Sequence, residues 1–201
     1  MRRTAMSIAE IATCQIVALQ GAASAIIQGL LRDFAAQLTD TGLRVAGVVE
    51  SAADSDHPCK SMALRSLEDG RLFSISQDLG PGSQACNLDP EGLVLACAAV
   101  QDHIARGADI VILSKFGKQE ALGRGLSDAF GAAIAAGLPI ITSVSPALTK
   151  EWRNFAGELG ECVQADVAQR PGWINAWSRQ VVTAPHARDM IKPVNDWIGT
   201  G

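Results

Sequence analysis

ADIVILSKFGKQEALGRG, residues 108–125, begins with an apolar run and ends in a loop that contains three glycines and three cations. The run lacks polar alternation, which is typical of a strand covered on both faces, as in a parallel sheet between helical layers. Glycines allow close backbone approach, and the cations supply donors suited to an oxyanion. Because ligands of such sheets bind at the carboxyl ends of the strands, this stretch predicts both a fold and a site.

Strand and helix patterns alternate on both sides of this stretch. Residues 15–20 and 43–50 predict strands separated by an amphipathic helix. Residues 90–107 predict a well-delimited helix, because Asp89 suits the cap and Pro90 suits the first position. The alternation indicates an α/β fold with a doubly wound, mostly parallel sheet in three layers and a small β-hairpin insertion.

The remaining segments complete the predicted organisation. One helix is expected over residues 121–136 and a buried strand over residues 138–144. We expect residues 1–160 to form the α/β domain, with the hairpin inserted at residues 61–77. Residues 161–201 are predicted to be a helical extension packed on the same domain.

Composition excludes several classes of function. The chain has 201 residues and a net charge of −4, which argues against a nucleic-acid or acidic-membrane surface as the main partner. Its apolar runs fall far short of the roughly 20 residues that a membrane-spanning helix needs. The five cysteines are widely spaced without a C-x-x-C pair, and no clean secretion signal precedes them. We therefore expect reduced thiols and a cytoplasmic protein.

The loop after the first strand, QGAASAI, occupies the place where a phosphate-binding loop would stand. Gly21 and Ser24 are candidate ligand-binding residues, but no lysine or second glycine follows them at the required spacing. A plain strand-to-helix turn is the alternative interpretation.

The loop at the end of the quoted stretch is the stronger candidate. Its backbone and cations suit a multiply charged oxyanion, and Glu120 could orient one of those cations or a water molecule. The alternative is a solvated helix start in which Glu120 and Arg124 form an ordinary surface pair. The candidate ligand-binding residues here are Ser114, Lys115, Gly117, Lys118, Glu120, Gly123 and Arg124.

The segment ILSKFGKQEALGRG resembles the second-motif region of P-loop kinase-like nucleoside triphosphatases, where a buried strand ends in an Asp-Glu pair followed by a Gly-Lys element. Ser114 and Lys115 stand at the positions of that pair, while Gly117, Lys118 and Glu120 match. With GLRVAGVVE, SQDLGPGSQACNLDP and GLPIITSV, residues 15–160 resemble a bacterial NTPase-like family of unknown function that is often associated with molybdate transport. The resemblance implies a transporter-associated protein. We expect a nucleotide, phosphate or molybdate as ligand, and a homo-oligomer is the alternative to association with a transporter.

Two departures bear on activity. The phosphate-loop lysine is missing, and Ser114 replaces the carboxylate linked to Mg²⁺, so metal-assisted phosphoryl transfer lacks both supports. We therefore expect anion or nucleotide binding without efficient hydrolysis, in an accessory or regulatory role in molybdenum handling that the resemblance implies. Two alternatives remain open: an active triphosphatase whose lysine is supplied by Lys115, Lys118 or a partner, and an interaction scaffold with a vestigial pocket.

Two cysteines complete the candidate set. Cys59 and Cys86, with His57, could converge on one face as an oxyanion pocket or a soft metal site. Their spacing does not favour metal, so Cys59 and Cys86 are kept as ligand-binding candidates only. Free cysteines that act as small hydrophobic residues are the alternative.

Overall fold

The structure, a computed structural model, describes residues 14–52, 62–77 and 87–183. The strands in these ranges are β1 Ile16–Gln20, β2 Val45–Ala52, β3 Met62–Ser66, β4 Leu72–Ser74, β5 Ser76–Gln77, β6 Asn87–Leu88, β7 Ile110–Leu113, β8 Ile140–Ser143 and β9 Gly160–Gln164. The α-helices are α1 Ser24–Asp40, α2 Pro90–Gly107, α3 Lys118–Ala121, α4 Ser127–Ala135, α5 Thr149–Ala156, α6 Ala165–Ala168 and α7 Trp173–Thr183.

Seven of the strands form one sheet in the order β4-β3-β2-β7-β8-β1-β9. The five strands from β2 to β9 in this order run parallel. The hairpin of β3 and β4 adds two strands antiparallel to their neighbours at one edge. Strands β5 and β6 pair separately. The predicted α/β class, the mostly parallel sheet and the hairpin insertion are therefore confirmed.

Helices cover both faces of the sheet. Helices α1 and α7 pack on one face, and α2, α4 and α5 pack on the other, so that the core is divided into two clusters by the sheet. All four residues of β7 are buried, as the apolar run ADIVIL predicts for a central parallel strand. This three-layer arrangement brings the carboxyl ends of β1, β2, β7 and β8 to one edge.

The helix over residues 90–107 has the ends that the sequence predicts. Asp89 Oδ1 accepts a hydrogen bond from the backbone N–H of Glu91 at 3.1 Å, and Pro90 occupies the first position. The cap satisfies one of the four N–H groups that a helix start leaves without a partner. Within the described ranges, no helix is long and apolar enough to cross a membrane.

Two sequence predictions of secondary structure are wrong. The single helix over residues 121–136 is divided, since α3 ends at Ala121 and α4 begins at Ser127. The extension from residue 161 does not start as a helix, because Gly160–Gln164 is β9 and pairs with β1. Helices follow at α6 and α7, and residues 184–201 lie outside the described residues.

Candidate functional site

The chain beyond β7 is fixed by one buried aromatic residue. Phe116 is 1% exposed, its backbone N–H donates to Ser143 O at 2.8 Å, and its ring packs edge-on against Trp152. Ser114 is buried as well, whereas Lys115 is exposed between them. The backbone therefore continues along β8 for two residues and then turns, at Gly117, into α3.

A glutamine of α1 lies between the ends of the strands. Gln28 is 3% exposed; its Nε2 donates to Ser114 O at 2.7 Å and its Oε1 accepts from the backbone N–H of Glu50 at 3.0 Å. Ser143 Oγ donates to the same Ser114 carbonyl at 2.8 Å. The sequence places Gln28 on the polar face of α1, but the side chain is buried and joins α1 to the ends of β2 and β7.

Lys115 is the first of the three loop cations. Its Nζ lies 2.8 Å from Glu50 Oε1, in an ion pair between the carboxyl ends of β7 and β2. Both side chains are partly exposed, at 49% for Lys115 and 29% for Glu50. The pair neutralises the charge of Lys115, so this cation has a partner before any ligand arrives.

Glu120 is used by the loop itself. Its Oε2 accepts from the backbone N–H of Gly117 at 2.8 Å, and its Oε1 accepts from that of Leu126 at 2.9 Å. The side chain is 6% exposed. The carboxylate thus closes the turn from residue 117 to residue 126. Because both of its oxygens accept backbone N–H groups, the surface pair with Arg124 is not formed.

A cavity of about 330 Å³ lies beside this loop, on the face of the sheet that carries α2 and next to the hairpin strand β3. One wall is polar and is formed by the loop, including the exposed side chain of Lys118. Among the predicted ligand-binding residues, those that line this cavity are Ser114, Lys115, Gly117, Lys118 and Glu120. The opposite wall is apolar.

The other predicted site residues lie elsewhere. Gly123 and Arg124 are exposed on the turn between α3 and α4 and do not line the cavity. Gly21 and Ser24 lie at the start of α1, where only three residues separate that helix from β1. The side chain of Gln164 lies over Gly21, since a Cβ built on that glycine would overlap Gln164 Oε1. Cys59 and Cys86 fall outside the described residues, so their binding role stays a prediction.

A second cavity, of about 400 Å³, lies at the amino edge of the sheet. His103 lines it and is 5% exposed, with Nδ1 3.0 Å from Glu68 Oε2. Arg106 also contacts Glu68, at 2.9 Å. The charge of Arg106 is therefore already paired with that of Glu68.

Arg44, which also lines this cavity, is bound to Asp109. Its Nε and NH2 donate to the Asp109 carboxylate at 3.1 and 2.8 Å, and its backbone N–H donates at 2.8 Å. These bonds hold the pKa of Asp109 below its usual range, against the opposing effect of burial. The interaction joins the starts of β2 and β7 at the edge opposite the loop cavity.

The sequence matches one family model over residues 16–173, described as Protein of unknown function (DUF2478). The chain belongs to this family. The match includes the first strand, the loop cavity and the sheet through β9, and it ends at the first residue of α7. The resemblance to a family of unknown function is thus confirmed for most of the chain.

A curated relative carries a more specific name. The molybdenum import ATP-binding protein ModC 2 of Bradyrhizobium diazoefficiens is 42% identical over 132 residues, which make up 65% of this chain and 15% of the relative. The chain therefore spans a small part of the relative's length.

Two solved structures share the fold at low sequence identity. The crystal structure of THEP1 from the hyperthermophile Aquifex aeolicus has a TM-score of 0.54 and 12% identity, with 80% of this chain and 94% of that chain covered. The solution structure of a human cancer-related nucleoside triphosphatase has a TM-score of 0.54 and 16% identity, with 83% and 93% covered. The chain therefore shares the fold of these two proteins, which does not by itself fix its function.

Proposed function

We propose that this protein binds a small anionic ligand, a nucleotide or another phosphate-like oxyanion, in the loop cavity beside residues 114–120, without efficient hydrolysis. Its role is accessory or regulatory in molybdenum handling. The observation that carries the proposal is the buried bridge of Gln28, because its amide bonds the backbone at the ends of β7 and β2, beside the loop.

Metal-assisted phosphoryl transfer in this fold class needs a lysine and a hydroxyl on the phosphate loop and a carboxylate on the neighbouring strand, which together hold Mg²⁺ and the phosphates. Here three residues join β1 to α1, and β7 is followed by Ser114. The Gln28 amide spans the gap between α1 and the ends of β2 and β7. The residues present therefore do not fit Mg²⁺ at this place.

The carboxylates near the loop do not replace the missing one. Glu50 is paired with Lys115, and both oxygens of Glu120 accept backbone N–H groups. Within the described part of the chain, no group of three or more His, Cys, Asp or Glu side chains could hold a metal ion. Anion binding needs none of these groups, because a lysine and polar loop atoms are sufficient for a weak site.

Lys118 supports binding at the loop cavity. Its side chain lines the cavity, is exposed, and has no charged partner among the described residues.

The proposed role in molybdenum handling is supported by the relative named as a molybdenum import ATP-binding protein, together with family membership. Because the chain corresponds to 15% of that relative, the ATP-binding activity of the whole relative does not transfer directly.

Isothermal titration calorimetry with ATP, GTP, inorganic phosphate and molybdate tests the proposal. We expect saturable heat with at least one of these ligands, and binding at least about tenfold weaker in Lys118→Ala, since loss of one charge-assisted contact is worth about 1.5–3 kcal/mol. The matched control is Lys150→Ala, which removes another exposed lysine, on α5, that does not line the cavity.

Phosphate release is measured in parallel. The proposal predicts release from ATP and GTP no faster than in a blank without protein. Release above the blank that disappears in Lys115→Ala or Lys118→Ala would favour the active triphosphatase instead. Absence of heat with every ligand would contradict binding at the loop cavity and favour the scaffold.

A further inference from the structure

Resting on the function proposed above, we infer that the ligand of the loop cavity is a small organic anion: a ring-sized apolar body that carries a single phosphate or carboxylate group. Free molybdate, inorganic phosphate and triphosphate tails fit the cavity less well. Three properties of the cavity lead to this ligand class, namely its size, its apolar wall and its charge.

The cavity is too large for an inorganic oxyanion. A water molecule takes about 30 Å³, so the four oxygens of a tetrahedral ion would fill only roughly a third of the cavity. Its 330 Å³ lies at the lower end of the volumes that hold small organic ligands, about 300–1,000 Å³. An ion alone would leave most of the cavity to water, so the cavity suits an ion with an attached organic body.

The wall opposite the loop is apolar. Leu64 is 1% exposed, Ile75 3% and Leu126 1%, so these side chains are held in place by the core behind them. An ion placed against such a wall would lose water without gaining donors, whereas an apolar ring gains by leaving water. The apolar wall consists of Met62, Leu64, Ile75, Leu88, Leu93 and Leu126.

The charge of the cavity suits a single negative group. Lys115 is neutralised by Glu50 at 2.8 Å, and the buried carboxylate of Glu120 lies on the same polar wall as Lys118. Among the described residues that line the cavity, Lys118 is the one cation without an ion-pair partner. A polyanion would meet too little positive charge here, because Lys115 is already paired with Glu50 and Lys118 is the one unpaired lysine among the described lining residues.

The probes that test this ligand class are phenyl phosphate, inorganic phosphate, molybdate and ATP, titrated into the full chain by calorimetry. Phenyl phosphate is expected to bind about 10- to 100-fold tighter than inorganic phosphate, the factor that burial of one aromatic ring supplies. Met62→Trp should fill part of the cavity and weaken phenyl phosphate binding at least about tenfold. The matched control is Leu72→Trp, an equal change on the same hairpin at a residue that does not line the cavity.

Lys118→Ala serves as a second variant, since it alters an exposed residue and leaves the core intact. It should weaken phenyl phosphate and leave binding of neutral benzyl alcohol unchanged. Inorganic phosphate, molybdate or ATP binding at least as tightly as phenyl phosphate, with no effect of Met62→Trp, would overturn the organic ligand class and leave the proposed anion site intact. No binding of any probe would overturn both.

Discussion

Gln28 is a single buried side chain that joins α1 to the ends of two strands of the sheet. In a hydrolytic protein of this fold class, the first turns of the helix after β1 would provide the hydroxyl that holds Mg²⁺. Here the fifth residue of α1 is a buried amide with one donor bond and one acceptor bond to backbone groups of β7 and β2. The amide thus supplies hydrogen-bond partners to backbone groups at the ends of β7 and β2. This favours a structural role for Gln28 over a catalytic one.

We predict that Gln28→Ala lowers the free energy of unfolding by about 1–3 kcal/mol, because the partly buried N–H of Glu50 loses this partner. The effect is measured as a shift of the urea midpoint. Gln37→Ala is the matched control, because Gln37 is exposed on the same helix. Equal midpoints for the two variants would show that the bridge contributes nothing.

The sequence predicts the loop residues of the site but not their partners. Lys115 and Glu50 are 65 residues apart, and Gln28 and Ser114 are 86 apart. No local pattern encodes such pairs, since they depend on the order of the strands in the sheet. On a helical wheel, Gln28 also lies beside the buried positions Ile27 and Leu31, so the boundary between polar and apolar faces did not reveal its burial.

At the scale of elements, local signals predict boundaries well where a cap is present and poorly where a helix breaks on glycine. Helix α2 was predicted from its Asp-Pro start. The break between α3 and α4 was missed because its apolar residues still follow helical spacing. Strand β9 was missed because it lies at the sheet edge, and only Val163 of its five residues is fully buried.

The break between α3 and α4 allows a paired prediction. Gly123 and Gly125 both have positive φ, at 69° and 61°, so alanine at either position carries the same left-handed penalty of about 1 kcal/mol. A Cβ on Gly123 meets nothing within 4 Å, whereas a Cβ on Gly125 would overlap Glu120 Oε1.

Gly125→Ala should therefore destabilise the fold more than Gly123→Ala and should displace the Glu120 carboxylate from Leu126. The free energy of unfolding should fall by about 1–3 kcal/mol more in Gly125→Ala than in Gly123→Ala, which is the cost of a buried group without its hydrogen bond. Thermal unfolding and amide exchange at Leu126 report the two effects. Equal melting temperatures and equal protection of Leu126 would contradict the role assigned to Glu120.

At the scale of the molecule, the two edges of the parallel sheet are built differently. The carboxyl edge carries the loop cavity and the Lys115–Glu50 pair, while the amino edge is joined by Arg44 and Asp109. The sequence predicts which edge holds the site, because β7 is an apolar run followed by glycines and cations. It does not predict that the first loop is covered by Gln164, which comes from the opposite end of the chain.

The Arg44–Asp109 pair predicts how the whole fold responds to acid. The folded pKa of Asp109 lies below its value of about 3.9 in the unfolded chain, because Arg44 donates to the carboxylate. Its contribution to stability is therefore complete above about pH 4 and is lost as the pH falls through the folded pKa. Asp109→Asn should lower the unfolding free energy near neutral pH, and the difference from the parent should shrink below about pH 4.

Urea unfolding of parent and variant over the range from about pH 7 to about pH 3 measures this difference. Asp33→Asn is the control. Asp33 is exposed on α1, and its substitution removes the same charge. A difference that stays constant through the acid range, or that matches the control, would show that the carboxylate is not stabilised by Arg44. A difference that shrinks in acid for Asp109 alone would instead show that the amino edge is held by charge, because an uncharged contact between β2 and β7 would not respond to protonation of this one group.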